Sequence, residues 1–343
     1  MNNPSALPAN ANMMNLINGF HVARVLYVAA KLRIADLVKD GARSCTDLAA
    51  HTGVDAPSLY RVMRVLVSAG VFEMDVKERV SLNPLAETLL NDAPGSLRGW
   101  AVSQLGDDTC KAWNELLYSV RTGGIAFEHV MGCDTWTYRA SRPDSAKDFD
   151  EGMASFIGAH NKAVVASYPF AGPKKIVDIG GGDGTLLCTL LATNPATRGV
   201  LFEQPRVLDK AKQHIAAQGL TTRCEIVTGD MFAAVPPGAD AYILSRVIHD
   251  WDDERSLAIL RNCRQAMTPT SKLLLVERVI PERIEHSEAM RVLVVSDLHM
   301  MVMNGGGERT ATQYRELLAA AGLTLTQVID TGGAMSVIEG VLA

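Results

Sequence analysis

Paired cysteines are the first thing missing. The six cysteines stand at 45, 110, 133, 188, 224 and 263, and no two form a C-x-x-C unit. That spacing argues against a zinc ribbon or a disulfide frame and suits free thiols in a reducing, cytoplasmic compartment. No apolar run is long enough for a bilayer. The most apolar late stretch, Val292 to Met303, is interrupted by Ser296, Asp297 and His299, too short and too polar to span one. The first twelve residues carry Pro4 and Pro8 and no apolar signal core. A surplus of positive charge is absent as well. With 33 Lys and Arg against 38 Asp and Glu, the net charge is −5, which speaks against a general nucleic-acid binder. Aromatics are only 6% of the chain, and most of them, Trp100, Trp113 and Trp136 included, fall between residues 85 and 170. What remains is a 343-residue chain with 48% hydrophobic residues, globular and long enough for two domains.

The rest is organised around Val177-Asp178-Ile179-Gly180-Gly181-Gly182-Asp183-Gly184. An apolar run, Lys175 to Ile179, predicts a buried strand, and Thr185 to Ala192 predicts a helix. Between them glycines let a ligand approach the backbone, and the free N–H groups of the helix start favour polar or anionic atoms. The spacing is Gly-x-Gly-x-Gly, which alone is weak evidence for a nucleotide.

Before that corner, residues 13–38 have helical periodicity with Leu16, Ile17 and Phe20 among many apolar positions. Thr46 is expected to cap a short helix, Asp47 to His51. Asp55 is expected to cap a second, with Pro57 in its first turn and Gly70 beyond its end. Strand-like pieces at 71–74 and 79–82 complete a winged-helix pattern. Residues 1–100 hold ten Lys/Arg and nine Asp/Glu, too balanced for phosphate contacts, so a packing or dimerisation module is the better reading than DNA binding. Residues 85–170 read as helices with irregular joins, a segment suited to a substrate lid, and Ala171-Gly172-Pro173 opens the last domain. The expected divisions are 1–95, 96–170 and 171–343. From Lys174 strands and helices alternate, with strands at 175–179, 199–202, 224–228, 241–245 and 272–276 and helices such as 207–218 and 256–267. The pattern predicts an α/β doubly wound parallel sheet that binds ligands at the carboxyl ends of its strands. Strands 323–330 and 334–342, joined by a short turn, must be antiparallel.

Four acids fall at or just past strand ends: Asp178, Glu203, Asp230 and Glu277. Glu203, ending the second strand, can accept from two ribose hydroxyls, as an acid in an NAD enzyme does. Asp230, in Gly229-Asp230-Met231-Phe232, can meet an adenine amino group while Met231 or Phe232 covers the ring. A second adenosine contact of that kind favours S-adenosylmethionine over a dinucleotide. After the fourth strand comes Ser245-Arg246-Val247-Ile248-His249-Asp250-Trp251-Asp252-Asp253. His249, with a reference pKa of about 6.5, can take a proton near neutrality. Glu277 and Glu308, the latter in Gly305-Gly306-Gly307-Glu308-Arg309-Thr310, are placed to orient it and to stabilise its charged form. Asp252 and Asp253 are expected to start the next helix.

These motifs, in this order over nearly the whole chain, resemble the S-adenosylmethionine-dependent small-molecule O-methyltransferases of the caffeate and hydroxyindole type and their bacterial natural-product relatives. The resemblance implies a Rossmann-like catalytic domain behind a winged-helix domain that makes an intertwined homodimer. It implies that Gly180 and Gly182 border the cofactor's amino-acid part, Glu203 holds ribose, and Asp230, Met231 and Phe232 hold adenine, with Asp178 and Ser245 beside them. It further implies that His249 is the general base, flanked by Glu277 and Glu308 and supported by Asp250, and that no metal is needed. Met153, Trp113, Met300 and Asn304 are expected to line the acceptor pocket. The expected acceptor is an aromatic or enolic hydroxyl, with neither nucleic acid nor membrane as a partner. Ser245 stands where many relatives have Lys, and Glu203 where Asp is common. Two alternatives stay open: a relative that binds the cofactor but does other chemistry, such as hydroxylation, and a NAD(P)-dependent oxidoreductase.

Overall fold

A computed structural model describes residues 7–170, 172 and 174–343; Pro4, Ala171 and Pro173 lie outside the described residues. The chain forms two compact units, Met1–Cys110 with Arg142–Phe156, and Lys111–Ser141 with Ile157–Ala343.

In the first unit a helix spans Ala9–Lys31 and a short one Ile34–Leu37. The single helix expected to Val38 is broken because Arg33 is left-handed, with φ 54°. The break lets Ile34, Ala35 and Val38 turn into the core beside Ala29. On the longer helix Met13, Leu16, Ile17 and Phe20 are 57–65% exposed, an apolar face that this unit leaves uncovered. The next helix, Cys45–Thr52, is capped by Ser44 and not by Thr46: the Ser44 hydroxyl accepts from the Asp47 N–H at 3.1 Å. Ser44 is in extended conformation, whereas Thr46 already lies within the first turn. Asp55 caps helix Ala56–Ser68 as expected, accepting from the Ser58 N–H at 2.9 Å. Leu48, Leu59, Met63 and Leu66 from these helices bury together with Phe72 and Val80. The wing has three antiparallel strands, Arg43–Ser44, Arg79–Ser81 and Glu73–Met74, the first of which the pattern of residues did not announce.

The second unit carries the large sheet. Its strands are β1 Lys175–Ile179, β2 Arg198–Glu203, β3 Cys224–Thr228, β4 Ala241–Ser245, β5 Lys272–Glu277, β6 Leu323–Asp330 and β7 Ser336–Leu342. Spatial order is β6-β7-β5-β4-β1-β2-β3. Strands β1 to β5 pair in parallel, and β7 enters antiparallel between β5 and β6. Helices α1 Thr185–Thr193, α2 Leu208–Ala217, α3 Asp253–Ala266, α4 Glu288–Met303 and α5 Ala311–Ala320 accompany it. Two separate apolar clusters cover the sheet, one containing Ile176, Leu201 and Ile243, the other Val177, Tyr242 and Leu244. A parallel sheet covered on both faces favours the continuous apolar runs seen in β4, Ala241 to Leu244, and β5, Leu273 to Val276. Asp252 caps α3 through the Arg255 N–H at 2.8 Å. The order of β1, β2, β4 and β5 makes the gap between β1 and β4 the point where the winding reverses, and such a point is where ligands bind.

Candidate active site

The glycine turn after β1 is built for close approach. Gly180, Gly182 and Gly184 have φ of 67°, 60° and 81°, conformations that disfavour any side chain. A Cβ on Gly182 would meet nothing within 4 Å, whereas one on Gly181 would lie 2.3 Å from Asp178 Oδ2. The turn therefore rests on Asp178 and keeps open space above it. Asp178 is fully buried, and burial, then the charge of Glu203, pushes its pKa up to about 7, with Arg246 opposing. Glu203, last in β2, is already oriented. Its Oε2 accepts from the Gly182 N–H at 3.0 Å and its Oε1 from the Gln204 N–H at 2.7 Å.

At the end of β3, Asp230 Oδ1 accepts from the Phe232 N–H at 2.9 Å. Asn262 of α3 donates to both the Met231 and Phe232 carbonyls at 2.9 Å, and the Phe232 ring meets Trp251 edge-on, with centroids 5.0 Å apart. Asn262 was not among the residues read from the sequence; a polar residue on a half-buried helix face gives no signal of a bond thirty positions back. Ser245 ends β4, and Arg246 follows it with φ 55°.

His249 lies in the single turn Ile248–Asp250. Three devices hold that turn. Glu277 Oε1, at the end of neighbouring β5, accepts from the Val247 and Ile248 N–H groups at 3.0 and 2.8 Å. Arg309 donates to the Ile248 and Trp251 carbonyls at 3.2 and 2.9 Å and to Asp253 Oδ1. Gly306 packs directly beneath, where a Cβ would come within 2.1 Å of the His249 carbonyl. A short parallel pairing of Val279–Ile280 with Arg309–Thr310 sets Glu308 beside Arg278 and near Glu277. The two acids meet one edge of the ring: His249 Nδ1 is 3.0 Å from Glu277 Oε2 and 3.6 Å from Glu308 Oε2. Asp250 Oδ1 is 3.7 Å from Nε2 and accepts from Asn304 Nδ2 at 2.6 Å.

Both flanking carboxylates have fully buried side chains. Burial works against charge on His249, but Glu277, then Glu308 and Asp250, outweigh it and raise its pKa well above the ordinary value. Burial would raise Glu308, yet His249, Arg278 and Ser296 bring it below the ordinary carboxylate value. Burial dominates at Asp250, whose pKa is raised. The site thus favours positive charge on an imidazole whose Nδ1 faces two acids. Donor atoms of His249, Glu277 and Glu308 lie within 4.8 Å of one another, a spacing that would also suit a small divalent ion. Arg278, 3.6 Å from Glu308 Oε1, already supplies positive charge there.

Of the residues expected to line the acceptor pocket, Trp113, Met300 and Asn304 belong to the second unit and Met153 to the first. Asn304, at the end of α4, accepts from Thr135 Oγ1 at 2.8 Å in addition to its bond to Asp250. Arg246, Arg278, Arg309 and His299 surround the site and were not singled out from the sequence.

Comparison with known proteins identifies the family. Residues 113–324 match the family model described as the O-methyltransferase domain, and residues 14–92 the O-methyltransferase dimerisation domain. The phenazine O-methyltransferase PhzM of Lysobacter antibioticus is 41% identical over 98% of this chain and 98% of its own. The crystal structure of LaPhzM superposes with a TM-score of 0.92, covering 98% of this chain and all of that one at 41% identity. The neocarzinostatin O-methyltransferase NcsB1, solved with S-adenosylmethionine and 2-hydroxy-5-methyl naphthoic acid, superposes with a TM-score of 0.84 at 31% identity, covering 94% of this chain and 96% of that one. An open glycine cradle, an oriented acid on β2 and a clamped Asp-Met-Phe turn on β3 fit an adenosyl cofactor. The chain belongs to the S-adenosylmethionine-dependent O-methyltransferase family.

Proposed function

We propose that the acceptor is an aromatic or enolic small molecule of secondary metabolism and that His249 is the general base for methylation of its hydroxyl. The observation that carries this is the ring of His249, held at Nδ1 by two buried carboxylates and turning Nε2 to the opposite edge. Bound S-adenosylmethionine supplies an activated methyl group, so the protein's own task is to place an oxygen in line with it and take its proton. Positioning alone can supply roughly 7–11 kcal/mol. Nε2 receives the hydroxyl proton as the oxygen–carbon bond forms and the carbon–sulfur bond breaks. Glu277 and Glu308 stabilise the imidazolium that results. A phenol, with a pKa near 10, is a closer match to histidine than an aliphatic alcohol.

Glu203 would hold the ribose, Asp230, Met231 and Phe232 the adenine, and Gly180, Gly182, Asp178 and Ser245 would border the rest. The test is His249→Ala. We expect kcat to fall by about 10²–10⁴ with S-adenosylhomocysteine binding intact; turnover near wild type would remove His249 from this role.

The same reading gives a cytoplasmic homodimer, supported by the exposed Met13, Leu16, Ile17 and Phe20 face and the unpaired cysteines. It assigns residues 1–95 to dimerisation, 96–170 to the substrate lid and 171–343 to catalysis. No helix among the described residues is long and apolar enough to cross a membrane.

A further inference from the structure

The second nitrogen of His249 lies beside an acid that does not touch it. Asp250 Oδ1 is 3.7 Å from Nε2, roughly 0.5–1 Å beyond a hydrogen bond. Asp250 adjoins His249 in the chain, and both side chains are largely buried. A carboxylate so placed is drawn to the ring whenever the ring is charged. Direct contact would hold a proton on Nε2 and cover the nitrogen that has to meet the acceptor hydroxyl.

Two hydrogen bonds in series hold Asp250 off. Asn304 Nδ2 donates to Asp250 Oδ1 at 2.6 Å, and Thr135 Oγ1 donates to Asn304 Oδ1 at 2.8 Å. A carboxylate accepts only from the nitrogen of an amide, so Asp250 sets which way the Asn304 amide lies. The Thr135 hydroxyl then anchors its far end. Without that hydroxyl a buried carbonyl oxygen lacks its donor, and the amide is free to follow Asp250 toward the ring. Both anchors are fixed by backbone. Thr135 is 2% exposed and opens the helix Thr135–Ala140. Asp134 caps that helix, accepting from the Trp136 and Thr137 N–H groups at 2.9 Å. Asn304 ends α4 with its N–H bonded to the Met300 carbonyl at 2.9 Å. Two residues on, Gly306 lies against the His249 carbonyl.

We propose that Thr135 is a positioning residue for methyl transfer. Through the Asn304 amide it holds Asp250 back from His249 Nε2 and keeps that nitrogen open to the acceptor hydroxyl. This rests on the general-base reading of His249 and extends it to a residue that touches neither the ring nor the acceptor. Glu277 and Glu308 set one edge of the imidazole; Thr135, Asn304 and Asp250 set the other.

The test is a set of variants of the whole protein, assayed on the best substrate from a panel of phenols and naphthols. Thr135→Val keeps the shape and removes the hydroxyl. Its kcat/KM should fall at least about tenfold while S-adenosylhomocysteine affinity stays unchanged. Thr135→Ser, which restores the donor, should return to near wild type. In an Asp250→Ala background there is no carboxylate to hold back, so Thr135→Val should cause no further loss. If the Val variant fails to bind S-adenosylhomocysteine, Thr135→Ala takes its place in the same comparisons. The proposal is overturned if removal of the hydroxyl leaves kcat/KM unchanged, if Ser fails to rescue, or if the losses multiply in the double variant. His249→Ala is measured in parallel. Loss of turnover there with none in Thr135→Val removes only this inference, whereas undiminished turnover in His249→Ala removes the general-base reading beneath it.

Discussion

Replacing Glu277 with Gln separates charge from shape at the centre of the site. Glu277 is fully buried, with Oε1 bonded to two backbone N–H groups and Oε2 3.0 Å from His249 Nδ1. Gln is nearly isosteric and can keep both backbone bonds. What it loses is one negative charge 3.0 Å from the imidazole. At an effective dielectric of about 20 that pair is worth on the order of 5 kcal/mol before desolvation is subtracted, so a fall of at least about one unit in the His249 pKa is expected. The sign follows from the direction of the native shift. A raised pKa keeps the imidazolium at lower pH, and the free base appears only as pH rises through that value. Wild-type kcat/KM should therefore climb with pH through a midpoint above the reference value of about 6.5. In Glu277→Gln the climb moves to lower pH. The high-pH plateau falls by roughly tenfold to a hundredfold, because the imidazolium formed in the reaction has lost a counter-charge. The assay is a pH profile of kcat/KM on any phenol the enzyme turns over, with S-adenosylhomocysteine affinity as the control for an intact site. A climb whose midpoint is the same in both proteins does not belong to His249, and the general-base assignment would then fail.

Three further outcomes follow from other parts of the molecule. Gly306→Ala places a Cβ within 2.1 Å of the His249 carbonyl; the turn must move, and we expect kcat to drop at least about tenfold with a lowered Tm, whereas an unchanged kcat would show that the turn tolerates displacement. Glu203→Ala removes the charged acceptor at the end of β2 and should weaken S-adenosylhomocysteine binding by about 1.5–3 kcal/mol, read by calorimetry; undiminished affinity would exclude it from the ribose site. Glu339 on β7 accepts from Lys272 Nζ at 2.9 Å and Thr326 Oγ1 at 2.7 Å, and also from the Tyr168 hydroxyl. Burial would raise its pKa, but these bonds lower it from 4.5 to about 2. Its stabilisation is therefore complete above pH 4.5 and is lost as pH falls toward 2. The Tm deficit of Glu339→Gln should shrink across that window and stay constant above it.

Much of the candidate site could be placed from residue order because its residues sit at or just past strand ends. A run such as Lys175–Ile179 announces its own end with glycine, and Glu203 and Glu277 are the last residues of β2 and β5 in the structure. His249 could be placed for the same reason: it lies just past β4. What could not be read depends on partners distant in sequence. Nothing local in Val279–Ile280 or Arg309–Thr310 predicts that they pair, yet that pairing brings Glu308 to Arg278. Asn262 reaches back to the Met231 and Phe232 carbonyls from a helix whose periodicity reports only which face is buried. His299 registered in the sequence only as an interruption of an apolar stretch, and its tautomer depends on Trp113. Local competition explains the smaller differences. Ser44 takes the cap expected of Thr46 because its backbone is extended, and Arg33 ends a helix whose apolar pattern would have carried on to Val38.

Strand β7 has a consequence for the birth of the molecule. It supplies the antiparallel neighbour of β5, with Ser336 opposite Glu277. Until residues 336–342 have been synthesised, β5 presents a free row of backbone donors and acceptors, the kind of edge that recruits other chains. The early strands can assemble during translation, but the side of the sheet that carries Glu277 has to wait for a segment made about sixty residues later, a non-local pairing of the sort that slows folding. A ribosome stalled near residue 320 would therefore leave a chain that has its glycine turn and His249 but exposes an aggregation-prone edge. The segment that completes the pairing of β5 is thus also the one that covers its exposed edge.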